Sequence, residues 1–376
     1  MESPSELPLV NLNYQCADIR AEIDKAIAAV LDSQSFILGK FVDSFERKLA
    51  FYCRTKHAIG VSSGTDALLL SLMAEGIGPG DEVITTPYSF VATANVILRL
   101  GAEPVFVDID YKSMNINPAL ISDAITDRTR AIIPVDLFGQ PCDLDEICSI
   151  AKKNNLVVIE DAAQAIGASY HNKPVGSISD YTCFSFFPTK NLGCCGDGGA
   201  ILTQSNKIAA RLRMLRAHGA VNKHEYDMLG GNFRLDALQA AILSAKLPYL
   251  AEWNRNRMVN ATNYCTRFMR LVDEGFITAP SGSADRTHVY NQYVIRAQFR
   301  DDLRTHLATN GVGTEIYYPI PLHKQVCFSA YPIIEQSEIC ADTSLAIPIF
   351  PGLTKADINR IVNTIEKFFN LEPIRS

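Results

Sequence analysis

The chain has 376 residues, 47% of them hydrophobic and 20% charged, which supplies a substantial core and excludes an intrinsically disordered chain. Its formal net charge is -6, from 35 basic and 41 acidic residues, and no basic block breaks that balance, so nucleic acid is not an expected partner. No apolar run reaches membrane-spanning length, and "MESPSELPLVNLNYQ" lacks the basic start and apolar run of a secretory signal. The ten cysteines include no C-x-x-C pair, so reduced thiols, no metal site and a cytoplasmic location are expected.

The first helical pattern in chain order is "ADIRAEIDKAIAAVLDS", which puts Ile19, Ile23, Ile27, Val30 and Leu31 on one face. Short apolar runs then alternate with helical patterns. "HAIGVSSG" reads as strand and turn, and "TDALLLSLMAEGI" as the helix after it. "DEVITTPYSF" is strand, "VATANVILRLG" is a helix ending at Gly101, and "EPVFVDID" is strand. "AIIPVDLFG" is strand before the helical "LDEICSIAKKNN". "LVVIED", "YTCFSFF" and "GAILTQ" are three further strands. Strands that are apolar throughout and separated by helices specify an α/β fold, with a mainly parallel sheet covered by helices on both faces.

A long helical stretch, "FRLDALQAAILSAKL" through "AEWNRNRMVNATNYCTRFM", is bent or broken at Pro248. It divides a large domain, 1–247, from a smaller C-terminal α+β domain, 248–376. In the smaller part "YNQYVIRA" and "TEIYYPI" read as strands and "RDDLRTHLATNG" as a helix. The closing helix "TKADINRIVNTIEKFF" has Thr354 as N-cap and buries Ile358, Ile361, Val362, Ile365 and Phe369.

Ligands of such sheets bind beyond the carboxyl ends of the strands. Attention therefore falls on Ser62 to Thr65, Tyr88 to Phe90, Asp161 to Gln164 and Ser185 to Lys190. Gly60, Ser62 and Gly64 match the G-x-S-x-G nucleophile elbow, for which His218 and His323 are the late histidines considered as partners. The same turn suits a phosphate, because Gly64 and Thr65 would present N–H groups at a helix N-terminus. It also suits an ordinary capped turn. Asp161 ends an apolar strand with Glu160 facing the other way. A buried carboxylate there needs a structural arginine, a metal or a protonated ring nitrogen. Lys190, held in a desolvated cleft, would have a lowered pKa and enough free amine to form a Schiff base with an aldehyde. Pyridoxal 5'-phosphate (PLP) uses that combination: a lysine, an acid for the pyridine nitrogen, a phosphate cup, and a flat side chain such as Phe90 or Tyr88 against the ring. A serine hydrolase would leave Lys190 and Asp161 idle.

Several long motifs, in this order over nearly the whole chain, carry a resemblance: "GTDALLL", "GPGDEVITTPYSFVATANVI", "PVFVDID", "VIEDAAQAIGA", "FSFFPTKNLGCCGDGGAI" and "GGNFRLDALQAAIL". They resemble the PLP-dependent nucleotide-sugar aminotransferases of fold type I, in the aspartate aminotransferase superfamily. The resemblance implies that Lys190 is the Schiff-base lysine and proton shuttle, and that Asp161 pairs with the pyridinium nitrogen. Gln164 would lie by the cofactor's O3' and Phe90 against its ring. Gly64, Thr65 and Ser185 would bind the phosphate, with Asn232 reaching it from the other subunit of a homodimer. His218, Arg234, Tyr317 and His323 would lie near the sugar nucleotide. "RLDALQAAILSAKL" followed by "WNRNR" is more similar to enzymes that aminate C3 than to C4 enzymes, which tend toward "GYNYRMT". The implied substrate is a dTDP-3-keto-6-deoxyhexose or a UDP-3-keto-N-acetylhexosamine or its uronate, with L-glutamate as donor. Many C3 enzymes have His-Tyr-Pro where this chain has Tyr317-Tyr318-Pro319, a departure that counts against the uronate. Related dehydratases replace the Schiff-base lysine by histidine, so Lys190 favours transamination.

Overall fold

The computed structural model describes residues 6–328 and 332–371. After one helical turn over Tyr14–Ala17, two longer helices lead in, α1 (Arg20–Ser33) and α2 (Gly39–Tyr52). Strand β1 (His57–Val61) follows, then α3 (Gly64–Glu75), β2 (Glu82–Thr85), α4 (Ala92–Arg99), β3 (Glu103–Phe106) and β4 (Thr129–Ile133). Next come α5 (Leu144–Lys153), β5 (Val157–Asp161), β6 (Tyr181–Ser185), β7 (Gly199–Thr203) and α6 (Asn206–Leu215). The seven strands form one sheet in the order β1-β7-β6-β5-β4-β2-β3. β7 runs antiparallel to β1 and β6, and all other pairings are parallel. The carboxyl ends of β1, β2, β4, β5 and β6 therefore share one edge, as the α/β reading requires.

The central strands are apolar because helices cover both faces: β6 and β7 have Phe184, Ala200 and Leu202 packed on one side, and Cys183 and Ile201 against α3 and α6 on the other. α3 is buried along most of its length, from Ala67 to Leu72. α2 was not expected from the pattern, yet Val42, Phe45 and Leu49 recur at helical spacing and are fully buried. Its Glu46 accepts from the Gly60 N–H at 2.8 Å and pairs with Arg216, which ties α2 and the end of α6 to β1.

The helical stretch across Pro248 resolves into α7 (Ala237–Lys246), one 3-10 turn over Leu247–Tyr249 containing the proline, and the 24-residue α8 (Leu250–Asp273). Beyond it β8 (Ile277–Thr278), β9 (Tyr293–Ala297) and β10 (Ser344–Ile347) make a second, antiparallel sheet in chain order. α9 (Arg300–Thr309), α10 (Glu335–Thr343) and α11 (Lys355–Phe368) complete this part. Its core gathers Tyr264, Phe268, Tyr293, Ile295, Leu307 and the apolar face of α11. Thr354 caps α11 in a full capping box with Asp357. Leu7, from the other end of the chain, packs into this second core and brackets Gly311 and Gly313 by backbone hydrogen bonds.

One predicted strand is not there. "TEIYYPI" makes a single bridge, Glu315 to Ala346, and then leaves the sheet. Pro319 has no N–H to continue a ladder, and the Tyr88 hydroxyl takes the Tyr317 carbonyl at 2.6 Å. The segment turns into the cavity described next. No described helix is long and apolar enough to cross a membrane.

Candidate active site

A cavity of about 700 Å³ opens at the carboxyl edge of the large sheet, within the usual range for small-molecule sites. Gly64, Thr65, Phe90, Asp161, Gln164, Ser185, Lys190 and Tyr317 all line it. They arrive from the ends of β1, β2, β5 and β6 and from the segment after α9, so topology alone brings them together.

Asp161 terminates β5, buried, with Oδ2 accepting from the Thr93 hydroxyl at 2.8 Å and Oδ1 from the Ala163 N–H at 3.2 Å. Burial raises its pKa; the two hydrogen bonds and the charge of Lys190 pull the other way. Glu160 points to the opposite face, where it accepts from Thr182 at 2.7 Å. Lys190 follows β6 at the cavity wall, and burial lowers its pKa to about 8 against the opposing pull of Asp161. Its amine is thus protonated below about 8 and nucleophilic above it. Trapping of a simple aldehyde on the cofactor-free protein with borohydride should rise through pH 8. A yield that rises only near pH 10, as for an exposed lysine, would contradict this.

The N-terminus of α3 faces the same space. Ser63 caps it, accepting from the Asp66 N–H at 3.0 Å. A Cβ on Gly64 would lie 2.7 Å from the Ser185 Cβ, and one on Gly199 would lie 2.4 Å from the Ser63 carbonyl oxygen. Only glycine permits this close meeting of helix start and strand ends, which leaves an anion cradle of backbone N–H groups and hydroxyls. The donor set therefore fits PLP: a cradle for the phosphate, a depressed lysine, and a buried carboxylate that lacks a bonded cation. When bound, PLP supplies the electron sink for amino-group transfer.

The remaining candidates divide between the cavity and places outside it. Phe90 is 56% exposed and lies 6.4 Å from the Tyr318 ring, so it presents a free face, whereas Tyr88 is fully buried and cannot be the flat group against a ligand. The Gln164 Oε1 accepts from the Phe138 N–H at 2.6 Å, which fixes the side chain at the rim. Ser62 lines no part of the cavity; its hydroxyl donates to Asp66 at 2.6 Å, and no histidine is among the lining residues, so the elbow is a capped turn and not a nucleophile. His323 is buried outside the cavity with Nε2 at 2.9 Å from Glu338, a contact that joins its turn to α10. His218, Asn232 and Arg234 form a separate group outside the lining. Ala217 bridges Asn232, the His218 N–H donates to Gly231, and Arg234 bridges Val61.

The sequence marked Ser63 only as part of the Ser62–Thr65 turn and did not single out Thr93, Asp136, Asp197, Gln292, Glu315 or Tyr318. All but Thr93 line the cavity, and Thr93 reaches it through Asp161. Ser63 carried a signal, a serine directly before a helix. Thr93 sits inside α4 with no local mark of its role.

Among proteins similar to this chain is a "Pleiotropic regulatory protein" of Geobacillus stearothermophilus, 44% identical over 367 residues, 96% of this chain and 98% of its own. A UDP-N-acetyl-3-dehydro-alpha-D-glucosamine 3-aminotransferase of Acidithiobacillus ferrooxidans is 42% identical over 369 residues, 98% of this chain and 99% of its own. The crystal structure of S. venezuelae DesV in complex with a ketimine intermediate superposes with a TM-score of 0.94 at 38% identity, covering 99% of this chain and 100% of that one. Residues 17–366 match the DegT/DnrJ/EryC1/StrS aminotransferase family, and at this identity and coverage the chain belongs to that family of PLP-dependent aminotransferases.

Proposed function

We propose that the protein transfers an amino group from L-glutamate to C3 of a 3-keto nucleotide sugar, carried on UDP or dTDP, for amino-sugar and glycan biosynthesis. The observation that carries the reading is the meeting of Lys190, Asp161 and the Gly64–Ser185 cradle in one cavity. The similarity to a 3-aminotransferase over 98% of the chain supports C3 over C4. The ten free cysteines suit the reducing cytoplasm, where we place the enzyme.

In this reading Lys190 would hold the cofactor's aldehyde group and serve as the amine that gives and takes a proton in the site. Asp161 would hold positive charge on the ring nitrogen, and Thr93 holds Asp161. Gly64, Thr65 and Ser185 would anchor the phosphate. Phe90 would lie against the ring, and Gln164 would serve its hydroxyl side. Tyr317 faces the sugar. Among the described residues the cavity lining offers an anionic nucleotide diphosphate one cation, Lys190. The group of His218, Asn232 and Arg234 lies outside its own cavity, which supports a homodimer in which the partner supplies these residues.

The test is a panel of dTDP and UDP 3-keto and 4-keto sugars incubated with glutamate and read by mass spectrometry. Amination of 3-keto sugars is the expected result; conversion of 4-keto sugars alone would overturn the C3 assignment. The regulatory name of the Geobacillus relative favours one rival, a protein that holds PLP without turnover. Loss of the cofactor's absorbance band on adding glutamate excludes it; an unchanged band would support it.

A further inference from the structure

We propose that Asp136 and Glu160 share a single proton, and that this carboxyl pair is a clasp that positions Gln164 and Asp161 for the reaction. The two side chains come from neighbouring strands, Asp136 just past the end of β4 and Glu160 within β5. Both are 0% exposed. Each has one satisfied oxygen: Asp136 Oδ1 accepts from the Cys142 N–H at 2.9 Å, and Glu160 Oε2 from the Thr182 hydroxyl at 2.7 Å. The remaining oxygens, Asp136 Oδ2 and Glu160 Oε1, accept from no donor in hydrogen-bond geometry; each carboxyl is set beside the other, with the Ser179 hydroxyl also next to Glu160.

Two ionised carboxylates cannot bond, and a pair of buried charges without a cation is prohibitively costly. Among the described residues no lysine, arginine or histidine bonds either one. The titratable neighbours are the thiols of Cys53, Cys142, Cys148 and Cys183, all pushed up and therefore neutral. One proton between Oδ2 and Oε1 resolves every one of these conflicts. It supplies the missing donor, satisfies both orphaned oxygens and halves the buried charge. Burial raises both carboxyls, and the neighbouring Glu160 raises Asp136 further, so the pair keeps one proton between its two members.

The clasp lies directly behind the catalytic edge. The Asp136 N–H donates to the Asp161 carbonyl at 3.0 Å, and the Asp161 N–H donates to Pro134 at 2.9 Å, so the ends of β4 and β5 are laced where the catalytic aspartate sits. Two residues on, the Phe138 N–H holds the Gln164 side chain. Fixing the Asp136 side chain thus fixes the turn that aims Gln164. This positioning role rests on reading the cavity as the PLP site; the shared proton does not.

Infrared difference spectra of the holoenzyme near neutral pH test the proton itself. Wild type minus Asp136→Asn, and wild type minus Glu160→Gln, should each show the carbonyl stretch of one protonated carboxyl, identified by its shift in deuterium oxide. Each amide donates an N–H in place of the shared proton, so both variants keep the clasp but lose the signal. Absence of the band from both difference spectra would overturn the shared proton. Glutamate half-reaction rates test the positioning. Asp136→Ala should lose about 10²-fold through misplacement of the turn, and Asp136→Asn should regain at least about tenfold of that. An alanine variant as fast as wild type, or an asparagine variant no better than alanine, would overturn the positioning role and leave the spectroscopic result standing.

Discussion

Replacing Lys190 by alanine is expected to stop transamination while leaving the fold intact. Among the described residues that line the cavity, Lys190 is the only lysine, arginine or histidine. The other titratable groups there are carboxyls and the Tyr317 and Tyr318 phenols, both raised by burial. None is an amine, so none can hold the cofactor aldehyde. General acid–base catalysis alone contributes about 10²–10⁴-fold, and Lys190→Ala removes it together with the covalent anchor. Stability should change little. The ammonium makes no hydrogen bond among the described residues, and removing a desolvated cation relieves a cost instead of adding one. The check is turnover of glutamate with the sugar acceptor alongside a thermal melt. A variant that folds and still turns over would remove Lys190 from the mechanism.

The parts legible in the sequence were those that local pattern determines. The strand after strand of apolar residues, from "HAIGV" to "GAILT", identified a sheet covered on both faces, and five strands end where their residues meet in the cavity. Lys190 and Asp161 could be placed at this cavity from sequence because each lies just past or at the carboxyl end of an apolar strand. What escaped was of two kinds. α2 and α6 have ordinary amphipathic faces, Val42 to Leu49 and Ala209 to Leu215, but no chemistry to draw notice. Thr93 and Asp136 act through hydrogen bonds to residues 68 and 6 positions away, pairings that only the folded chain creates. The "TEIYYPI" segment misled because alternating Ile and Tyr suit a strand, while the competing tie from Tyr88 lies 229 residues away.

Asp161→Asn should separate activity from stability, and in opposite directions. In the protein without cofactor the carboxyl is buried with two hydrogen-bond donors but no bonded cation, and burial raises its pKa above the unfolded value. A carboxyl raised in the native state binds more protons folded than unfolded, so its contribution to stability declines as pH climbs from about 4 through the raised pKa. Asparagine does not titrate and is free of that loss. The site can accept the amide: its oxygen takes the Ala163 N–H, its nitrogen donates to Thr93, and the Thr93 hydroxyl turns to Ser89, 3.1 Å away. Without cofactor the variant should be at least as stable as wild type at neutral pH, with the margin growing as pH rises from 4. Catalysis should move the other way. A neutral amide cannot hold positive charge on the ring nitrogen, and loss of one preorganised charge contact typically costs about 10²–10³-fold. Chemical denaturation of the cofactor-free proteins across pH, set against glutamate half-reaction rates of the loaded ones, measures both. A variant both less stable and fully active would mean that Asp161 is a structural carboxylate and that another group serves the ring.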